Sequence, residues 1–144
     1  MLTGLNHITI EVSDLDQSLG FYSQLLGMRP RAKWRHGAYL TLGDLWFCLI
    51  RGNARPGQDY THFALDISQL DCAAMAERLD AEGVPRWKEN ESEGDSFYIL
   101  DPDGRRLEIH CGSLKTRMES MAPEDYPDLE WLDAPMDHGD SKGV

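Results

Sequence analysis

The sequence has only three cysteines, Cys48, Cys72 and Cys111, and no two of them have the CxxC spacing of a zinc or redox motif. Their odd number favours reduced thiols over a disulfide scaffold. No apolar run approaches the roughly 20 residues that span a bilayer, and the amino terminus lacks a secretory signal pattern. Basic residues are scarce as well, with 14 Lys and Arg against 25 Asp and Glu, which argues against nucleic acid as a partner. These absences predict a cytoplasmic protein that binds neither membrane nor nucleic acid.

Acidic charge is concentrated at the carboxyl terminus of the 144-residue chain, whose length suits one domain with its own core. Residues 119–144 contain eight acids and one lysine, a net charge of −7, which leaves −4 of the total of −11 for residues 1–118. This segment also contains three prolines and little periodicity. It is predicted to be a partly ordered or disordered tail that adds solubility.

Residues 1–118 contain an internal repeat. The stretch "HITIEVSDLDQSLGFY" from His7 aligns with "HFALDISQLDCAAMAE" from His62, an offset of 55 residues, with matching apolar, acidic and serine positions. Each block reads as a strand and a helix, and about three strands follow, the last two around a tight turn. The repeat predicts an α+β fold of two βαβββ modules, about 1–52 and about 58–113, that form a concave sheet in one domain.

Three strands of this pattern place one ligand-type side chain each on the polar face. Alternation puts His7 opposite the apolar residues of "HITIEV", His62 opposite those of "HFALDI", and Glu108 opposite those of "RLEIHC". A carboxylate in such a strand needs a partner or a cation, because its burial is otherwise costly. Two histidines and one carboxylate form a ligand set with open positions, suited to Mn²⁺, Fe²⁺ or Zn²⁺. The sequence therefore predicts a metal site formed by His7, His62 and Glu108.

Several longer stretches resemble a known family. They are "MLTGLNHITIEV", "GAYLTLGDLWFCL", "DYTHFA", "WKENESEGDSFYILDPDGRRLEIH" and "SLKTRM". With the repeated modules, they make residues 1 to about 118 similar to the vicinal oxygen chelate (glyoxalase/bleomycin-resistance) superfamily, and within it to the FosA-type fosfomycin-resistance glutathione transferases. The resemblance implies a Mn²⁺-dependent enzyme that opens the epoxide of fosfomycin with the glutathione thiol. It also implies a homodimer with exchanged modules, in which His7 completes the site of the other subunit.

The resemblance implies further roles by position. A loop of Ser92, Glu93, Gly94 and Ser96 would bind a potassium ion. The expected substrate-binding residues are Thr9, Tyr39, Trp46, Tyr60, Lys88, Ser92, Tyr98 and Arg117. Among these, the expected catalytic residues are Thr9, Lys88, Tyr98 and Arg117. The thiol would enter past Trp34, His36, Ile50 and Glu91.

The charges fit a phosphonate substrate. A chain with a net charge of −11 repels a phosphonate dianion at long range, so local cations are needed. Lys88 and Arg117 would supply them, and arginine can bind phosphonate oxygens through two hydrogen bonds. The metal would act as a Lewis acid on the epoxide oxygen as its carbon–oxygen bond breaks.

The thiol site departs from the family pattern, and this leaves alternatives open. Better-known members place Ser at the position of Ile50 and Arg at that of Glu91, and an acid there disfavours the carboxylates of glutathione. An epoxide hydrolase that uses water is therefore one alternative, with Asp44 as a conceivable base, although Gly43-Asp44 also reads as a plain turn. An extradiol dioxygenase or lyase is a second, and it leaves Lys88 and Arg117 unexplained. A metal-free drug-binding protein of the bleomycin-resistance kind is a third, and the complete His/His/Glu set argues against it.

Overall fold

The computed structural model describes residues 1–132, which form two modules with the same order of elements. The first contains β1 (His7–Val12), α1 (Leu15–Gly20) with a π-helical turn (Phe21–Leu25), β2 (Arg29–Trp34), β3 (Gly37–Leu42) and β4 (Leu45–Arg51). The second contains β5 (Phe63–Asp66), a 3₁₀ turn (Gln69–Asp71), α2 (Cys72–Ala81), β6 (Arg86–Lys88), β7 (Ser96–Leu100) and β8 (Arg106–His110), and α3 (Leu114–Ser120) follows. The predicted α+β fold with two βαβββ modules is confirmed.

Each module forms its own four-stranded sheet, in the orders β1-β4-β3-β2 and β5-β8-β7-β6. In both sheets the first strand of the module pairs in parallel with the last, and the other pairs are antiparallel. Within one chain, the residues predicted to share a concave surface are therefore divided between two sheets.

The predicted face alternation is visible in β1, where Ile10 and Val12 are buried while His7 and Thr9 are exposed. Ile10 and Val12 join a single hydrophobic core that also contains buried residues of the second module, such as Leu107. Because the apolar faces of both modules enter one core, the polar faces of both sheets are left for ligands.

The helices are short, and α2 is the longest of those in residues 1–132, at 10 residues. The Asp14 side chain caps α1 by accepting a hydrogen bond from the backbone N–H of Gln17 at 3.0 Å. Within the same described range, no helix has both the length and the apolar composition needed to cross a bilayer.

A buried polar network joins the two modules at Asp101, which lies in the turn between β7 and β8 and is 5% exposed. The Tyr22 hydroxyl of the first module donates to Asp101 Oδ2 at 2.7 Å, and Arg105 Nη1 donates to the same oxygen at 2.9 Å. Arg105 also donates to the carbonyl of Glu11, at the end of β1, at 2.8 Å. Burial and the neighbouring carboxylate raise the pKa of Tyr22 well above its ordinary value, so the phenol remains a donor.

The first part of the predicted acidic tail, up to residue 132, continues from α3 through short turns. The N–H of Asp125 donates to the carbonyl of Ala122 at 2.9 Å, and that of Leu129 donates to the carbonyl of Tyr126 at 3.0 Å. Residues 133–144, the remainder of that predicted extension, lie outside the described residues.

Candidate metal and anion site

The second sheet brings together two of the three predicted metal ligands. His62 directly precedes β5, and Glu108 lies in β8, which pairs with β5. His62 Nε2 is 3.0 Å from Glu108 Oε2, and the two side chains are 18% and 11% exposed. His62 Nδ1 is 2.7 Å from the carbonyl oxygen of Tyr60, which can only accept a hydrogen bond. This contact requires a proton on Nδ1, so Nε2, which faces Glu108, is the ring nitrogen that could bind a metal.

The pair fits a divalent cation. Nε2 and the Glu108 carboxylate are both potential ligands, and a cation between them would bind both. The 3.0 Å between Nε2 and Oε2 keeps the two atoms within reach of one metal ion. A backbone carbonyl on the other ring nitrogen is also the outer partner that metal-binding histidines commonly have.

His7 lies on the first sheet, away from this pair in the strand order. Its ring packs on Trp46 with centroids 4.3 Å apart, and its Nδ1 is 2.7 Å from Asn6 Oδ1. This hydrogen bond also leaves Nε2 as the outward nitrogen. Among residues 1–132 of one chain, no group of three or more histidine, cysteine, aspartate or glutamate side chains is arranged to hold a metal.

A cationic group and two tyrosines lie beside His62. Lys88 Nζ donates to the Tyr60 hydroxyl at 2.8 Å and lies 5.1 Å and 4.9 Å from the ring centroids of Tyr60 and Tyr98. The hydrogen bond with Tyr60 raises the pKa of Lys88 above its ordinary value. His62 contacts the same two rings, at 5.1 Å and 6.2 Å between centroids. The structure thus places a fixed positive charge next to the His62–Glu108 pair.

Arg117, in α3, contacts the loop that is predicted to bind potassium. Its Nη2 donates to the carbonyl of Glu93 at 3.2 Å, and its Nε lies 3.5 Å from Glu93 Oε2. Both Nε and Oε2 are buried atoms without a hydrogen bond of good geometry. The guanidinium is therefore held at the loop by the carbonyl and the carboxylate of Glu93.

The loop itself has a fixed shape. Asn90 Nδ2 donates to the carbonyl of Gly94 at 2.8 Å, and Asn90 Oδ1 accepts from the backbone N–H of Ser92 at 3.2 Å. Gly94 has a φ of +79°, and a Cβ there would collide with the carbonyl oxygen of Cys111. The Ser96 hydroxyl donates to Glu108 Oε1 at 2.8 Å, and this hydrogen bond connects the loop to the His62–Glu108 pair.

The other predicted substrate residues lie on the first sheet, along an aromatic strip of His7, Trp46, Tyr39 and Trp34. Tyr39 lies between two tryptophans, with centroids 5.4 Å from Trp46 and 4.8 Å from Trp34. Thr9 is exposed on the same strand face as His7. Within one chain, the aromatic strip therefore lies on a different sheet from Lys88 and Glu108.

The predicted thiol residues divide in the same way. Trp34 and Ile50 meet over Gly37, where an added Cβ would lie 2.7 Å from Trp34 Cζ2 and 3.1 Å from Ile50 Cδ1. His36 is exposed in the turn between β2 and β3, and Glu91 is exposed in the loop before β7. Trp34, His36 and Ile50 therefore belong to the first sheet and Glu91 to the second.

Three residues of the second sheet were missed as site residues. Trp87 has ring centroids 5.3 Å from His62 and 5.2 Å from Tyr98, and the Arg106 guanidinium lies 5.1 Å from its ring. His110 Nδ1 is 2.6 Å from the Ser96 hydroxyl oxygen. Strand alternation already places Arg106 and His110 on the face of Glu108, whereas Trp87 gives no such signal.

Comparisons with known proteins show the family of the chain. Residues 4–109 match the family model described as the Glyoxalase/Bleomycin resistance protein/Dioxygenase superfamily. The glutathione transferase FosA of Serratia marcescens is 49% identical over 131 residues, which cover 88% of this chain and 93% of that protein. The metallothiol transferase FosB of Shouchella clausii is 35% identical, with 86% and 92% covered. A crystal structure of a mutant FosX fosfomycin resistance protein from Listeria monocytogenes, complexed with Mn(II) and 1S,2S-dihydroxypropylphosphonic acid, is similar in fold, with a TM-score of 0.75. It is 27% identical, and the match covers 82% of this chain and 99% of that one.

Proposed function

Because this chain belongs to the Glyoxalase/Bleomycin resistance protein/Dioxygenase superfamily, we propose that it inactivates fosfomycin by metal-dependent addition of the glutathione thiol to the epoxide. The observation that carries the proposal is the His62–Glu108 pair with Lys88 beside it, in a chain 49% identical to a glutathione transferase FosA. The reduced thiol is a cytoplasmic reagent, and the three cysteines of this chain are free, so we place the reaction in the cytoplasm.

His62 and Glu108, with His7 from a second chain, would hold the Mn²⁺, and the same ligand set also suits Zn²⁺ or Fe²⁺. When bound, the metal supplies Lewis acidity at the epoxide oxygen, where negative charge grows as the ring opens. Glu108 is positioned for this role by Ser96, and His62 by the Tyr60 carbonyl.

The phosphonate would be bound by the cations of the second sheet. Lys88 is already fixed by Tyr60, and Arg117 is held at the loop by Glu93, so little side-chain freedom is lost when the substrate binds. The remaining contacts would come from Thr9, Tyr39, Trp46, Ser92 and Tyr98. Positive charge close to the substrate offsets the repulsion from a chain of net charge −11.

We also propose that the loop of Ser92, Glu93, Gly94 and Ser96 holds a potassium ion. It offers hydroxyl and carbonyl oxygens, the donor type that hard cations take. The carbonyls of Glu93 and Gly94 accept from Arg117 and Asn90 and each keeps a second lone pair. A bound cation would add positive charge next to Arg117.

The assay that tests the reaction uses the Mn²⁺-loaded protein with fosfomycin and glutathione, and product masses are measured. We expect a glutathione adduct, whose absence from a chain that binds Mn²⁺ would contradict the proposal. The second candidate is hydrolysis, favoured by the acidic Glu91 and by the dihydroxypropylphosphonic acid in the FosX complex. If the diol forms from water instead, the exposed turn residue Asp44 is the first to mutate.

We also propose a homodimer, because the predicted ligands are divided between two sheets of one chain. If the first sheet of one copy faces the second sheet of another, His7 of one chain reaches His62 and Glu108 of its partner and sheet edges are covered. We expect light scattering to give about twice the 16.3 kDa chain mass. A fully active monomer would contradict this arrangement.

Mixing two inactive variants tests the exchange directly. His7→Ala and Glu108→Gln each remove one ligand, and each homodimer is expected to be inactive. After unfolding and refolding together, half of the dimers are mixed and each has one intact site, so about a quarter of the wild-type activity returns. If His7 acts within its own chain, mixed dimers contain no intact site and no activity returns.

Glu91→Arg tests the thiol site. Glu91 is exposed in the loop before β7. Its negative charge would repel the two carboxylates of glutathione. Like charges near a surface cost on the order of 1 kcal/mol at contact distances. We expect a several-fold lower KM for glutathione with little change in kcat, since the charge affects ground state and transition state alike. Glu89→Arg, at an exposed neighbour, is the matched control, and an equal decrease there would point to net charge rather than to a site.

A further inference from the structure

The side chain of His110 touches the proposed metal site without being one of its ligands. His110 lies in β8 two residues after Glu108, and its side chain is 17% exposed. Its Nδ1 is 2.6 Å from Ser96 Oγ and 3.5 Å from Glu108 Oε1. Ser96 Oγ is in turn 2.8 Å from Glu108 Oε1. The three side chains therefore form a continuous hydrogen-bonded chain that ends on the carboxylate.

The direction of this chain follows from its members. A carboxylate oxygen accepts only, so the Ser96 hydroxyl must give its one proton to Glu108. The contact between Ser96 Oγ and His110 Nδ1 then requires the proton to come from the ring. His110 Nδ1–H donates to Ser96, and Ser96 O–H donates to Glu108 Oε1, so each bond polarises the next.

We propose that His110 is a positioning residue that acts through Ser96 to orient the Glu108 carboxylate toward the metal. This inference rests on the proposed metal site. With Oε1 occupied by Ser96, Glu108 presents Oε2 to His62, at 3.0 Å from Nε2. Without the ring donor, the Ser96 hydroxyl is free to rotate to another acceptor, and the carboxylate loses its fixed orientation.

The surroundings of the ring support a positioning role, because they leave space for an imidazole and fix its plane. A Cβ added at Gly112 would lie 2.6 Å from His110 Nε2, and one added at Gly94 would lie 3.0 Å from its Cε1. Gly94 belongs to the proposed potassium loop, and Gly112 directly precedes the α3 segment that carries Arg117. The ring is thus packed between the two segments that flank the proposed phosphonate site.

The test compares Mn²⁺ binding by calorimetry in four proteins: the wild type, His110→Leu, His110→Asn and Ser96→Ala. Outer partners of metal ligands are commonly worth 10- to 100-fold in affinity, so we expect His110→Leu to weaken binding by roughly 10-fold or more. Asparagine places an amide N–H near the position of Nδ1, so His110→Asn is expected to retain most of the affinity. If His110 served only to fill space, His110→Leu would bind Mn²⁺ more tightly than His110→Asn, because leucine fills the space better than asparagine does.

The double variant His110→Leu/Ser96→Ala separates action through Ser96 from independent action. If His110 acts through Ser96, the losses are not additive, and the double variant binds Mn²⁺ about as weakly as Ser96→Ala alone. Additive losses, or a His110→Leu protein with wild-type affinity, would overturn the inference while leaving the metal site in place. Failure of the wild type itself to bind Mn²⁺ would overturn the proposed function and this inference with it.

The metal-free protein offers a second readout. Long-range ¹H–¹⁵N spectra, at a pH where histidine side chains are neutral, are expected to show the His110 proton on Nδ1. Ser96→Ala should reduce that preference, because it removes the acceptor. A wild-type spectrum with the proton on Nε2 would contradict the inferred direction of the chain, whatever the metal affinity.

Discussion

Replacing Glu108 by glutamine is expected to abolish tight Mn²⁺ binding and to slow adduct formation by on the order of 100-fold or more. The amide keeps the shape of the side chain, so Ser96 can still donate to its oxygen. Its nitrogen then faces His62 Nε2, in the place where Oε2 now lies at 3.0 Å. An amide N–H can donate to Nε2 of a neutral His62, so the variant still gives His62 a hydrogen-bond partner without a metal. The same substitution therefore removes the ligand charge and leaves the metal-free pair hydrogen-bonded.

This reasoning predicts a loss of binding without a loss of folding. Added Mn²⁺ should raise the thermal midpoint of the wild type, since a ligand that binds only the folded state stabilises it, and should leave that of Glu108→Gln unchanged. In the absence of metal, the variant should unfold no earlier than the wild type. Glu77→Gln, at an exposed position in α2, is the matched control for lost charge. Full Mn²⁺ affinity in Glu108→Gln would remove Glu108 from the ligand set.

The modules could be predicted from the sequence because strand alternation and the repeat are local signals. Ile10 and Val12 alternate with His7 and Thr9 along β1, and the burial pattern follows that alternation. Glu108 was identified because a carboxylate in such a strand needs a partner, and His62 is found beside it. Local sequence pattern therefore predicted which strand faces are buried, and it predicted that His62 and Glu108 lie close together.

Relations between elements could not be predicted in the same way. The sequence pattern suggested one concave surface, whereas the strands of one chain form two sheets, and alternation alone carries no information on which sheet edges meet. Trp87 contacts His62 and Tyr98 from the point where the pairing of β6 with β7 shifts in register, which alternation does not predict. The hydrogen bond from Tyr22 to Asp101 likewise depends on a contact between the modules.

That contact between modules underlies the second large effect, which concerns stability. Asp101 Oδ1 accepts the backbone N–H groups of Asp103 and Arg105, at 3.0 Å and 2.8 Å. Oδ2 accepts the Tyr22 hydroxyl and the Arg105 guanidinium. All four partners are donors, so the site requires two accepting oxygens. The Asp101 side chain is fully buried and that of Arg105 is 16% exposed, which leaves little water to replace a lost partner.

Asp101→Asn is therefore expected to destabilise the protein by about 3 kcal/mol, although it changes neither size nor shape. Whichever way the amide is turned, its NH₂ group faces two donors, and the Arg105 charge loses its counter-ion. A loss of that size corresponds to a thermal midpoint lower by roughly 10 °C for a chain of this length. Asp103→Asn is the matched control, because the Asp103 side chain accepts from the backbone N–H of Ser13, at 3.2 Å and 3.3 Å, in an exposed setting. We expect that variant to lose about 1 kcal/mol or less in chemical unfolding. Equal unfolding midpoints for the two variants would show that the buried network does not hold the modules together. Below its melting temperature, Asp101→Asn should still bind Mn²⁺, because within residues 1–132 no hydrogen bond or ion pair links His62 or Glu108 to Asp101, Tyr22 or Arg105.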